Sequence, residues 1–152
     1  MKKSLLLLFI FFIAAGSFGQ KLEVVDGRYY KRGMLYSGTH IEHYSNGKDS
    51  MLMNILNGCE NGPMELYFPS GARMEHREYN NGKKTGIWLT WDEKGTKIGE
   101  ASYLDGIKNG TWYIWNSQGI LLYEMHYLDG TKTGIWKQWD DKGKLLMERA
   151  YE

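Results

Sequence analysis

The chain of 152 residues has one cysteine, almost no net charge, and no long apolar run after its first twenty residues. Each scarcity excludes something. A lone thiol, Cys59, cannot close an intramolecular disulfide. It lies in the turn Gly58-Cys59-Glu60-Asn61-Gly62, where later repeats place Lys83, Ile107 and Thr131. It reads as a turn substitution more readily than as a reactive or intermolecular thiol. With 19 basic and 18 acidic residues the chain has no electrostatic footprint for nucleic acid or an anionic surface. Phosphate-cradling loops are also missing, and the serines at 37, 45, 50, 70, 102 and 117 have no paired base.

The one apolar run is N-terminal. Lys2 and Lys3 precede eleven apolar residues, Leu5 to Ala15, and Ser17 and Gly19 stand at −3 and −1 of a cleavage site. That run is shorter than the ~20 residues a spanning helix needs. Residues 1–19 are therefore read as a cleaved signal peptide. The mature protein is expected to be periplasmic or secreted and, with no cysteine at the cut, not lipid-anchored. Phe9, Phe11, Phe12 and Phe18 leave with the signal, whereas all six tryptophans stay. The remaining ~133 residues suit one domain.

What the chain has in abundance is glycine at fixed intervals. Gly38, Gly62, Gly86, Gly110 and Gly134 are 24 residues apart, and so are Gly47, Gly71, Gly95, Gly119 and Gly143; Gly58, Gly82, Gly106 and Gly130 keep the same step. A lattice of glycines is a lattice of turns. Repeats of this length form stacked arrays in which each unit buries apolar surface against its neighbours. Aligned on the lattice, the first halves read GTHIEHYSNG, GPMELYFPSG, GIWLTWDEKG, GTWYIWNSQG and GIWKQWDDKG. The second halves end on Ile55, Tyr79, Tyr103, Tyr127 and Tyr151, and the first four close on Asn-Gly or Asp-Gly. Such dipeptides between short β-prone runs signal tight hairpin turns, and the frequent glycines would break any helix. The expected fold is all-β: an elongated, single-sheet antiparallel meander of about five stacked hairpins over residues 38–152. About ten strands would extend roughly 45–50 Å. Residues 20–37, with Gly33 one position off the lattice, read as a degenerate cap over the first edge.

Three repeats carry Trp-x-x-Trp: Trp88/Trp91, Trp112/Trp115 and Trp136/Trp139. Equivalent tryptophans two strands apart are roughly 9–10 Å from one another, so the intervening strand must fill the gaps. Tyr103, Tyr127, Ile98 and Leu122 are the candidates. A spacing of three puts the two members of a pair on opposite faces unless a bulge intervenes. The first two repeats place His43/Tyr44 and Tyr67/Phe68 there instead. The fifth repeat stops at Tyr151-Glu152 without a further cap, and Lys144, Glu148 and Arg149 on its last strand would discourage edge pairing.

The segments Gly-Ile-Trp-Leu-Thr-Trp-Asp-Glu-Lys-Gly (86–95) and Tyr-Leu-Asp-Gly-Thr-Lys-Thr-Gly-Ile-Trp (127–136) resemble the MORN repeat, and more closely the variant in bacterial YwqK-family antitoxins. The resemblance runs from Tyr36 to Tyr151. It implies stacked hairpins and a binding role: neutralising a partner protein, scaffolding, or docking at membranes. It carries over no catalytic or contact residues, and an export signal departs from a cytoplasmic antitoxin.

The remaining polar candidates are sparse. His40, Glu42 and His43 are the only local group of ligand-like residues, but on a strand His40 and Glu42 share a face while His43 points away, so no metal site is expected. His76 and His126 lie in different repeats. Neither a cofactor nor catalysis is expected. The candidate binding surface is the set Trp88, Trp91, Trp112, Trp115, Trp136 and Trp139, with most ring area assigned to packing; if one face is exposed, it should carry Trp88, Trp112 and Trp136. The expected partner is another protein, such as an envelope toxin or complex, with a cell-wall glycan or membrane lipid as the alternative. Specificity should lie where the repeat pattern changes, between Gly62 and Gly86, on a surface without a deep cleft.

Overall fold

The computed structural model describes residues 22–152; the expected signal peptide lies outside the described residues. No helix occurs among them, and the chain is a ladder of strands. A small sheet comes first: β1 (Glu23–Val25), β2 (Arg28–Lys31) and β3 (Met34–Leu35), in that order. The long sheet follows with β4 (Gly38–His43), β5 (Asp49–Leu56), β6 (Cys59–Tyr67), β7 (Arg73–Asn80), β8 (Lys83–Trp91), β9 (Lys97–Leu104), β10 (Ile107–Lys108), β11 (Gly110–Trp115), β12 (Leu121–Leu128), β13 (Thr131–Trp139) and β14 (Leu145–Tyr151). Within each sheet every strand pairs antiparallel with its sequence neighbours, except that β10 and β11 are two pieces of one rung, broken at Asn109, and both pair with β9; β3 and β4 belong to different sheets and do not pair. The all-β meander of hairpins expected from the glycine lattice is the observed fold.

Two kinds of turn build it. At one rim, Asn57-Gly58, Asn81-Gly82, Asp105-Gly106 and Asp129-Gly130 all have positive φ at both residues. This is the type I′ geometry whose twist matches paired strands, and Asn and Asp tolerate it better than other side chains. The glycine N–H of each turn also donates to the carbonyl 22 residues earlier: Gly58 to Tyr36, Gly82 to Glu60, Gly106 to Lys84 and Gly130 to Lys108, each at 2.8 Å. The turns are therefore zipped in series. At the opposite rim the longer turns are closed by side chains. Asp92 Oδ1 accepts from the N–H groups of Lys94 and Thr96, and Asn116 and Asp140 do the same one and two repeats later. Tyr44 and Phe68 occupy that column in the first two repeats, so they correspond to Asp92 and not to a tryptophan. In register, His40 and Met64 stand where Trp88 stands, and His43 and Tyr67 where Trp91 stands.

A second irregularity recurs beside the glycines. Glu78 pairs with Thr85 and His76 with Leu89, so the three residues 86–88 face Arg77 alone. The same step occurs between β5 and β6 and between β12 and β13. Such wide bulges sharpen the twist, and Gly62, Gly86 and Gly134 supply their positive φ. Near the opposite rim Ser50, Met74, Ile98, Leu122 and Leu146 are each an extra residue skipped by the pairing. Ile98 and Leu122 thus sit in bulges, outside the row in which Trp88, Trp112 and Trp136 lie.

Apolar burial is concentrated at one end. Among the described residues only Met53, Ile55 and Met64 are buried hydrophobics, at 1%, 4% and 6% exposure. Tyr29 of the small sheet and Leu22 and Tyr36 at its two ends pack on them, with Met51, Leu66 and Tyr79 alongside. The cap therefore differs from expectation. It covers a face of the first two repeats and leaves β4 as the edge of the long sheet. A strand pair that carries Tyr29, with Tyr36 just past its end, gains more by burying rings on methionines than by extending a hydrogen-bond ladder. Backbone bonds Tyr29 N–H to Gly58 O (2.9 Å) and Gly58 N–H to Tyr36 O (2.8 Å) fasten it there.

The Tyr29 hydroxyl donates to Glu60 Oε1 at 3.0 Å. Burial first, and then the Glu60 carboxylate, push its pKa from 10.0 to about 12. An unfolded tyrosine ionises near pH 10, so this contribution is complete below that value and disappears as pH rises through about 12. The urea midpoint of the wild-type protein should fall more steeply between about pH 10 and pH 12 than that of Tyr29→Phe; equal slopes would remove Tyr29 as the cause. A second expectation concerns Gly110, whose φ is +100° and where an added Cβ would lie 2.9 Å from Ser102 Oγ and 3.1 Å from its Cβ. Gly110→Ala should cost about 1–3 kcal/mol. Gly119→Ala, with φ +78° and open space around it, should cost about 1 kcal/mol. Denaturant midpoints that do not separate the two variants would contradict this.

Candidate functional site: an aromatic ladder with a lysine row

The strand register places a glycine beside each aromatic end residue: Gly62 beside Tyr79, Gly86 beside Tyr103, Gly110 beside Tyr127 and Gly134 beside Tyr151. With no side chain at the glycine, the tyrosine ring can lean along the sheet. The tryptophan two residues after the glycine, on the same face, enters the space on its other side. The result is one continuous row: Tyr79, Trp88, Tyr103, Trp112, Tyr127, Trp136 and Tyr151. Successive centroids are 5.3, 4.9, 5.2, 5.4, 5.2 and 4.9 Å apart. Interplanar angles run from 51° to 62°, the tilted and edge-on arrangement that ring quadrupoles favour. Of the four residues expected to fill the gaps, Tyr103 and Tyr127 do so, and Tyr79 and Tyr151 extend the row at its ends.

Each ladder indole is also tied to the backbone. Trp88 Nε1 donates to Glu78 O at 3.1 Å, and Trp112 and Trp136 donate to Ser102 O and His126 O at 3.0 Å. All three acceptors lie ten residues back, at the glycine bulge. The rings are thus held at both the π face and the polar edge.

Lysines crown the row. Lys84 stands 4.7 Å from the Trp88 ring and 5.1 Å from Tyr103. Lys108 is 4.2 Å from Trp112 and 4.6 Å from Tyr127, and Lys132 is 4.4 Å from Trp136 and 5.2 Å from Tyr151. Arg77 lies over Trp88 at 5.2 Å and Arg149 over Tyr151 at 5.0 Å. Cations at these distances are attracted to the ring faces while keeping water around their charge. Burial raises the pKa of Tyr79 and Tyr103, which keeps these ladder rings neutral. The lysine column was missed in the sequence although it has the same 24-residue period as the glycines: Tyr36, Glu60, Lys84, Lys108, Lys132. The change from Glu60 to Lys84 falls across the interval in which the repeat pattern was expected to change.

Trp91, Trp115 and Trp139 do not join the ladder. The bulge at each of these sites lies in the partner strand, so alternation continues and the members of each pair occupy opposite faces. Trp115 stacks on Tyr113 at 5.5 Å, Lys97 sits 4.4 Å over Trp115, and Arg73 sits 5.5 Å over Trp91. All six tryptophans are half-buried, and beyond the cap both faces are open to solvent. The sequence left open which face is exposed, and beyond the cap both are.

The histidines are held in exposed or half-buried pairs. His40 lies 3.4 Å from Glu42 on the ladder face, and His43 lies 2.9 Å from Asp49 on the other. His76 bridges Glu65 (2.8 Å) and Glu78 (3.3 Å), and His126 meets Glu124 at 3.3 Å. Among the described residues no group of three or more ligand-type side chains could hold a metal ion. An open cleft of about 810 Å³ lies between the cap and the first hairpin, lined by Val24, Tyr29, Lys31, His40, Glu42 and Met51 among others. It arises because the cap lies on a face and not along the edge.

The ladder should carry stability as well as surface. Trp112→Ala removes two ring contacts and an indole hydrogen bond, and should cost about 2–4 kcal/mol. Trp115→Ala, with one stacked neighbour and no indole hydrogen bond to a carbonyl, should cost less than half as much in the same urea titration; equal costs would deny the ladder its structural role.

Only part of the chain is recognised by comparison with known proteins. No curated protein matches it. The MORN repeat variant family matches residues 108–129 and 132–152, the units that contain Lys108, Trp112 and Tyr127 and then Lys132, Trp136 and Tyr151. The last two hairpins of the array are therefore MORN-variant repeats.

Proposed function

We propose that the chain is a non-enzymatic, exported binding module that holds a protein partner against its ladder face, in the manner of an antitoxin or immunity factor. MORN repeats in general bind proteins or membranes. The observation that carries the choice is the ladder with its lysine row, a flat surface of rings and cations left uncovered after the first two repeats. Rings locked to one another and to the backbone lose little freedom on contact, which suits a preformed protein interface. They are poorly placed to swing into a bilayer. The row Lys84, Lys108 and Lys132 selects an acidic partner surface and would speed encounter with it.

The test is a pull-down from the native envelope fraction with the wild-type protein and with Lys84→Glu/Lys108→Glu/Lys132→Glu. The expected result is one stoichiometric partner on the wild type, lost from the charge-reversed variant and weakened by salt. Equal capture by both, or none by either, would remove the reading. Tryptophan fluorescence that responds to liposomes or glycans, with no protein captured, would replace it with the lipid or glycan alternative.

A further inference from the structure

The lysine row has a period, and the period restricts the shape of what can lie on it. Lys84, Lys108 and Lys132 recur on every second rung of the sheet, so consecutive lysine positions are roughly 9.6 Å apart. The rings beneath keep the same step. The Tyr103 centroid is 4.9 Å from Trp88 and 5.2 Å from Trp112, and the Tyr127 centroid is 5.4 Å from Trp112 and 5.2 Å from Trp136. Among the described residues none of the three lysines is in an ion pair with a carboxylate. Each stands over one Trp–Tyr pair, so the Tyr103–Trp112 and Tyr127–Trp136 junctions have no cation shared between their two rings. The face thus alternates an unpaired positive charge with a bare aromatic junction. The row stops at Glu60, which holds the lysine position one repeat earlier and would repel a further carboxylate.

We propose that the partner segment held on this face is an acidic polyproline II helix, with a carboxylate at every third residue and proline beside it. The proposal rests on the protein-binding reading of the ladder face and names the segment that reading leaves open. A polyproline II helix has three residues per turn and rises ~3.1 Å per residue, so each of its faces repeats every ~9.3 Å. Across the three lysines its mismatch with the sheet is about 0.6 Å. Other conformations fit worse. A β-strand repeats a face every ~6.7 Å and misses the middle lysine by about 3 Å. An α-helix brings the same face round after seven residues, about 10.5 Å, and overshoots by about 1.8 Å over the same span. The rings cannot shift to absorb such errors, because the three indole N–H groups are bonded to backbone carbonyls.

The chemistry of adjacent helix faces completes the match. Lys84 precedes Gly86 and Trp88 along β8, so the lysines rise from the Asn-Gly and Asp-Gly rim of the row. One face of the helix, a proline in each triplet, rests on the bare ring junctions. The next face, the carboxylates, turns towards that rim and its cations. Aromatic-lined grooves hold proline-rich segments in this way. Helix and ladder are both ordered before they meet, so little freedom is lost on contact.

The test titrates acetyl-Pro-Glu-Pro-Pro-Glu-Pro-Pro-Glu-Pro-amide into ¹⁵N-labelled protein. Two controls have the same length. Acetyl-Glu-Glu-Glu-Pro-Pro-Pro-Pro-Pro-Pro-amide keeps the composition without the period, and acetyl-Gly-Glu-Gly-Gly-Glu-Gly-Gly-Glu-Gly-amide keeps the period without the preformed helix. The expected result is a shift of the Trp88, Trp112 and Trp136 indole signals, with Trp91, Trp115 and Trp139 unmoved. Either control should bind at least tenfold more weakly. Lys108→Glu copies the residue that Glu60 supplies in the same column, and with an unchanged thermal melt it should weaken the periodic peptide at least tenfold. Lys108→Gln should show the same loss in smaller measure. Equal binding of the three peptides, binding indifferent to both Lys108 variants, or no shift with millimolar periodic peptide would overturn the proposal. Larger shifts with polygalacturonate or phosphatidylglycerol vesicles would do the same by assigning the row to glycan or lipid. A native partner lost on triple lysine reversal but not displaced by the periodic peptide would defeat the segment alone and leave the ladder-face reading intact.

Discussion

The constraint on which the rest depends is the pairing of a glycine with an aromatic ring across neighbouring strands. Gly86 beside Tyr103, and its equivalents in the next two repeats, leave a vacancy over the backbone that the tyrosine and the following tryptophan share. The bulge that places the tryptophan there needs positive φ at the glycine. Turn chemistry, bulge and ladder are thus one device. A single-layer sheet has no second sheet to bury its side chains, and rings packed edge to face along the array supply the contacts that a core would otherwise provide. Only at the capped end do methionine and isoleucine form an ordinary buried cluster.

This division of labour explains the asymmetry of the chain. The first two repeats carry His40 and Met64 in the tryptophan column and Tyr36 and Glu60 in the lysine column. They are covered by β1–β3, and their polar groups serve the cap: Glu60 accepts from Tyr29, and the Gly58 turn is bonded to Tyr29 and Tyr36. The later repeats are bare and carry the ladder and the lysines. One end is specialised for closing the array, the other for presenting a surface.

Much of this was legible in the sequence, and the misses have physical causes. The turns, the strand order and the hairpin pairing followed from Asn-Gly and Asp-Gly at fixed spacing, because those dipeptides admit few backbone conformations. Strand alternation put Trp88 and Trp91 on opposite faces unless a bulge intervened, and only the register shows that the bulge lies in the partner strand. Which side chains fill the gap between tryptophans did not follow. Tyr103 and Ile98 are equally plausible until the register shift at Ile98 is known, and bulges leave little trace in composition. The cap was misplaced for a related reason: a short strand pair can add to an edge or lie on a face, and the choice depends on Tyr29 and Tyr36 finding Met53 and Met64. The lysine column was visible in principle, but a charge every 24 residues reads as a solvated surface until its rings are in place.

The central claim is that the row from Tyr79 to Tyr151 is a fixed structural element and that the second tryptophan of each pair stands outside it. Hydrogen exchange of the six indole N–H groups tests this most directly, because only the ladder indoles are bonded to carbonyls. The account predicts slow exchange for Trp88, Trp112 and Trp136 and fast exchange for Trp91, Trp115 and Trp139. Six indoles exchanging at one common rate would contradict it.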